Sequence, residues 1–255
     1  MKRVLAIALN TFKETVRDRI LYGLIFFVLL VLPGSRLVIP LAIGQEIKIM
    51  KDFGFAAITL FGLLISVVVG TTLVFKELDK RTIYVLVAKP VRRWELLLGK
   101  YFGLMGTLTV SFLIMSATMT VTIMMMGGKI DGLLGYSVFG IYMQFVVITS
   151  VAIFFSTLAS PALSAAFTFC LFIAGTAADQ LRLFADRMPG SFLKVAVNAI
   201  SYLIPNLQNC NFRTEAVYGL EVPLSKIWLM TAYCLLYTGV MLILGSLVLE
   251  RKDLK

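Results

Sequence analysis

Residues 132–178 read GLLGYSVFGIYMQFVVITSVAIFFSTLASPALSAAFTFCLFIAGTAA, a run of 47 positions without one charged side chain. Wound as a single α-helix it would be about 70 Å long, roughly twice the hydrocarbon thickness of a bilayer. The run must therefore fold back on itself. Its break signal is Ser156-Thr157-Leu158-Ala159-Ser160-Pro161, so two membrane spans joined by a tight turn are expected there.

The rest of the chain has the same character. Of its 255 residues 59% are hydrophobic and 15% charged, whereas soluble domains average about 25% charged. The charge-free windows 55–75, 101–123 and 228–249 each suffice to cross a bilayer. A first apolar run from Ile20 is broken by Pro33-Gly34 and carries Arg36, which reads as one kinked span ending near Pro40, with Arg36 snorkelling outward. The expectation is an all-α polytopic membrane protein: one transmembrane domain over 1–255, with six spans.

Basic residues set the expected orientation. With both termini inside, five of the 24 Lys and Arg fall in the N-terminal arm, seven in 76–100 and three in 251–255, leaving nine outside. That bias accounts for the net charge of +10 without nucleic acid. Residues 4–19 place Leu5, Leu9, Phe12 and Val16 on one helical face and Lys13, Glu14, Arg17 and Asp18 away from it, which suits an amphipathic helix lying along the inner leaflet, not a cleavable signal.

The chemistry available to such a chain is narrow. It has no histidine, so Ser-His and Cys-His nucleophile pairs and the H-E-x-x-H zinc site are excluded. No carboxylates cluster inside the spans, so no catalytic, cofactor or metal residue is expected on this chain. Cys170, Cys210 and Cys234 are widely spaced and read as core packing, not a disulfide framework. Met124-Met125-Met126 likewise reads as gap filling in preference to Cu(I) ligation.

A coupled carrier needs an ionisable group near mid-membrane, and only Gln144 is strongly polar near a span centre. Energy should then come from another subunit. No G-x-x-x-x-G-K-[ST] occurs, since Gly99-Lys100 is followed by Tyr101. The segment 76–99 instead offers a docking surface dense in both charge signs: Glu77, Asp79, Arg81 and Thr82, then Pro90, Arg92, Arg93 and Glu95, with Lys100 just beyond.

Three further features have a packing and a functional reading. Gly99, Gly103, Thr107 and Ser111, continued by Thr118 and Thr122, form a small-residue stripe that suits close helix packing, with Thr107, Ser111, Thr118 and Gln144 as the alternative lining of an export route. Gln144 is otherwise a satisfied interhelical contact. In the long segment 182–226, Leu193, Val197, Ile200, Ile204 and Leu207 recur at helical spacing, predicting an amphipathic helix over 192–204 that stops at Pro205.

The run KELDKRTIYVLVAKPVRRWELLLGK at 76–100, the Tyr202-Leu203-Ile204-Pro205-Asn206 in the last outer loop and the closing Glu250-Arg251-Lys252-Asp253-Leu254 resemble those of type-2 ABC exporter permeases along essentially the whole chain. Where many members have Gly before the Thr, this chain has Arg81. Such Arg variants resemble the branch that includes the permease of the nitrous-oxide-reductase maturation system and gliding-motility permeases, a branch without one shared substrate. The resemblance implies an inner-membrane transport machine: a permease subunit without enzymatic activity of its own, a separate ABC ATPase carrying ATP and Mg, and a second copy of the chain or a similar permease beside it. It also implies that the outer segment re-enters the membrane and closes the exit, with Val197, Ile200, Ile204, Pro205 and Asn206 as the outer gate; a helix lying on the surface is the alternative. The competing function is a membrane anchor or assembly scaffold that recruits an ATPase without passing cargo.

Overall fold

The computed structural model describes residues 2–17, 23, 26–27, 30–31, 34, 44–79, 92–129, 131–187 and 204–251, with the side chains of 17, 73–79 and 185–187 excepted. The helices are α1 (Lys2–Arg17), α2 (Glu46–Asp79), α3 (Arg93–Met125), α4 (Gly132–Leu158), α5 (Pro161–Thr176), α6 (Ala178–Arg187), α7 (Arg213–Tyr218) and α8 (Leu224–Arg251), with a 3-10 turn at Leu207–Cys210. Among the described residues the structure is all-helical apart from turns and connections.

Among the described residues, four helices are long and apolar enough to cross a membrane: α2 over Glu46–Thr72, α3, α4 and α8. The bent pair α5–α6 is a fifth candidate. The expected first span, 20–40, lies outside the described residues except at scattered helical positions, of which Phe27 is buried with its ring edge-on to Phe61 of α2.

The 47-residue run folds as its break signal requires. α4 stops at Leu158, and Pro161 takes the first position of α5, where a missing N–H costs nothing. The Ser164 hydroxyl donates to the carbonyl of Phe155 across the turn at 2.8 Å. α4 is the centre of the bundle, with buried residues on every side, as expected of a helix apolar all round. Its Phe145 ring fills the space over Gly62 of α2 and meets Phe112 of α3 edge-on. Its Val146 carbonyl accepts from the hydroxyls of Tyr101 in α3 and Thr238 in α8.

The span after the turn bends: α5 has 16 residues, about 24 Å, and α6 departs at 62°. At Gly175 an added methyl would come within 2.6 Å of the Pro205 carbonyl. The N-terminal helix packs on α3 through its small residues and leaves Leu5 and Leu9 of its apolar face uncovered by protein, which suits a lipid-facing surface. Ala8, Thr11 and Thr15 are buried, while Leu5 and Leu9 remain 63% and 53% exposed. Ile7 meets Gly99, Thr11 meets Gly103 and Phe12 meets Gly106, so contacts advance together along α1 and α3 and the helices run side by side. At Gly103 a Cβ would lie 2.5 Å from the Ala8 carbonyl oxygen. Small residues let the two backbones approach, and this seam takes the near half of the small-residue stripe.

Candidate functional site

The bundle has two ends that differ in chemistry. The near end holds the start of α3 and the last turn of α8. The Arg93 guanidinium donates to the carbonyls of Leu249 and, at 3.0 Å, Glu250. These are terminal carbonyls of a helix, and a cation there complements the helix dipole. The Glu95 carboxylate turns back to accept the Arg92 N–H at 3.0 Å, fixing the first turn of α3. Leu97 packs toward Gly245 of α8, and Lys100 is buried. Glu77 and Asp79 fall in the last turn of α2, but their side chains, and all of Arg81, Thr82 and Pro90, lie outside the described residues. The structure therefore joins Arg92, Arg93, Glu95 and Lys100 at one end and leaves the other members of the docking group unplaced.

At the far end, residues 204–218 insert into the bundle as a plug. Leu207, Cys210, Phe212 and Ala216 are all buried. The expected amphipathic helix over 192–204, with Val197 and Ile200, lies outside the described residues, and the stretch that inserts follows Pro205. Asn206 organises its start. Its side-chain oxygen accepts the Gln208 N–H at 3.1 Å, its amide donates to Asp179 of α6 at 2.7 Å, and its backbone N–H donates to the Tyr233 hydroxyl of α8 at 2.9 Å.

Two buried side chains of α4 hold the plug by its backbone. Gln144 donates to the Leu207 carbonyl at 3.1 Å, and Ser137 donates to the Phe212 carbonyl at 2.6 Å. A buried carbonyl left unmade costs about 1–3 kcal/mol, so these bonds fix the register. Gly140 lies between them, where any Cβ would run into the Cys210 carbonyl. Around the rim, Arg213 pairs with Asp52 of α2, Lys226 with Glu215 at 3.2 Å, and buried Lys51 reaches both Asp131 and the Ala216 carbonyl at 3.4 Å.

Gln144 is thus a satisfied interhelical contact that also lines a cleft of about 360 Å³, open at the side between α2, α4 and α5, with Thr59, Phe172, Asn211 and Arg213 on its wall. Thr107 and Ser111 are buried, Thr107 bonding its own helix at 3.3 Å. Thr118 is only half-buried and bonds the Ile114 carbonyl. Of Thr107, Ser111, Thr118 and Gln144, it is Gln144 that lines this cleft.

Of the sulfur residues, Cys210 and Cys234 take the expected buried positions, whereas Met124, Met125 and Cys170 do not. Met124 and Met125 face outward, and Cys170 is exposed on α5. Cys210 and Cys234 are buried with their sulfurs 3.1 Å apart. The facing Cys234 sulfur, together with burial, pushes the Cys210 thiol pKa up.

Sequence reasoning passed over Lys51, Asp52, Asp131, Ser137, Gly140, Gly175, Arg213 and Tyr233. Gly140 and Gly175 are glycines inside apolar helices, positions where another backbone can approach closely. Nothing in the sequence names the approaching chain.

An all-helical bundle whose described residues include several helices long and apolar enough to cross a membrane is that of a multi-pass membrane protein. The family model described as ABC-2 family transporter protein matches residues 5–254, and the chain belongs to that family. It is a membrane permease subunit of an ABC transporter, a type that associates with an ABC ATPase and is generally not catalytic itself. No curated protein matches the chain.

Proposed function

We propose that the chain couples ATP hydrolysis on a separate subunit to export, and that it works beside a second copy of itself in the inner membrane. The near end then faces the cytoplasm together with both termini, the chain crosses six times, and ATP with Mg sits on the partner. The branch is the one suggested by Arg81, in which cargo differs among members.

The observation that best supports this reading is the continuity of α2. One helix of 34 residues, about 51 Å long, carries the start of the docking segment at Glu77 and Asp79 and, at its other end, Lys51 and Asp52, which grip the plug. A rod of that length transmits a push on the 76–99 segment to the exit without relaxing on the way. Arg93 ties α8 to the same displacement through its last carbonyls. The outer gate comprises the 192–204 segment together with Pro205 and Asn206, and it opens when the rim pairs are pulled off register.

Partner-stimulated ATPase activity in reconstituted membranes tests the coupling. Charge reversal at Glu77 or Arg93 should lower stimulation roughly tenfold, equivalent to about 1.4 kcal/mol, whereas Lys80→Ala should leave it near wild type. Full stimulation and full complex yield in both reversals would place coupling elsewhere.

A further inference from the structure

The pair Cys210–Cys234 is not used by the mechanism above. The two residues are 24 positions apart, one in the plug and one in α8, with sulfurs 3.1 Å apart and both side chains buried. Closing a disulfide needs about 2.05 Å, so the sulfurs must approach by only about 1 Å.

Their placement is fixed independently of sulfur. Tyr233, the neighbour of Cys234, accepts the backbone N–H of Asn206, and the Cys210 carbonyl is seated against Gly140. The plug is therefore registered against α8 at Asn206 and against α4 at Cys210, and the thiols meet because the backbone brings them together. A cleft of about 410 Å³ is lined by Asn209 and Tyr233, the chain neighbours of the two cysteines, together with Lys226 and Met230.

We propose that Cys210 and Cys234 form a disulfide that staples the plug to the last span. The inference rests on the proposed orientation, which puts this end on the oxidising side of the membrane. The reaction is exchange with a disulfide oxidant of the thiol–disulfide oxidoreductase class. Both thiol S–H bonds break, one S–S bond forms within the chain, and the oxidant's S–S bond opens to two thiols that take up the two protons and two electrons. Because the seated sulfurs are shielded from solvent, exchange occurs chiefly as the plug folds in.

The test uses the wild-type chain in its own membrane. Thiols are trapped by acid and alkylated with N-ethylmaleimide in denaturant, then the protein is reduced, treated with iodoacetamide and digested for mass spectrometry. Cys210 and Cys234 should carry the second label and Cys170 the first, and before reduction the two peptides should travel as one species. Dithiothreitol should lower the unfolding temperature of the wild-type protein but not of the Cys210→Ser, Cys234→Ser double variant. A Lys129→Cys reporter, probed with an impermeant maleimide, separates the two ways to fail. First label on Cys210 and Cys234 with the reporter reached from outside overturns the disulfide alone. First label on both cysteines with the reporter reached only from inside overturns the orientation and the disulfide together.

Discussion

The two ends of the bundle are held by different physics. At the plug, buried donors on α4 reach backbone carbonyls of 204–218 at fixed positions, and a glycine leaves room for one carbonyl and no methyl. At the near end, the contacts are a glycine seam along α1 and one arginine on terminal carbonyls. Buried hydrogen bonds are satisfied in one register only, whereas close packing along a seam of small residues carries no such directional requirement. The comparison teaches that direction fixes the far end and shape alone fixes the near end; on the proposed function, the far end holds and the near end moves.

Gly140→Ala and Gly103→Ala put that difference to a direct test. Both methyls meet a backbone oxygen, that of Cys210 in one case and of Ala8 in the other. If the plug cannot shift and α1 can, Gly140→Ala should cost about 2–3 kcal/mol and Gly103→Ala about 1 kcal/mol, read from thermal unfolding in detergent. Equal losses would break the comparison. An effect smaller than that of Gly140→Ala is expected for Gln144→Leu, which removes the donor to the Leu207 carbonyl and should cost about 1–2 kcal/mol. Limited proteolysis within 204–218 should rise in that variant, and unchanged protection would show that the bond does not hold the plug. The smallest effect belongs to the rim: Lys226 is about half exposed, and its pair with Glu215 should be worth at most about 1 kcal/mol. A larger loss in Lys226→Ala would sharpen the picture by locating stability in the rim as well as behind it.

Much of this fold was legible in advance because membrane chains obey length and charge rules that act locally. A charge-free run too long for one crossing must turn, and Ser160-Pro161 is where α5 begins. The boundaries were less legible. α2 starts at Glu46, nine residues before its apolar window, because Lys48, Lys51 and Asp52 lie in its first two turns and belong to the ion pairs and aromatic contacts of the far end. Hydropathy marks what lipid tolerates, not where helical hydrogen bonding begins.

The candidate site divides along the same line. Glu95 with Arg92 is a contact between close neighbours in sequence, and the 76–99 segment announced itself by its density of charge. For α1 the amphipathic pattern was plain, yet the face that packs is Ala8, Thr11 and Thr15, chosen by the glycines of α3 and not by the apolar moment.

The sequence by itself determined that the chain is helical and lives in a membrane, since composition and run length are properties of the unfolded string. Only the tertiary structure decided that Gln144 and Ser137 serve the plug, that Asp52 meets Arg213, 161 residues later, and that Cys210 faces Cys234. Each of these contacts depends on which backbone comes within 3 or 4 Å of a given side chain, a distance set by how whole helices pack and invisible to any local window of residues.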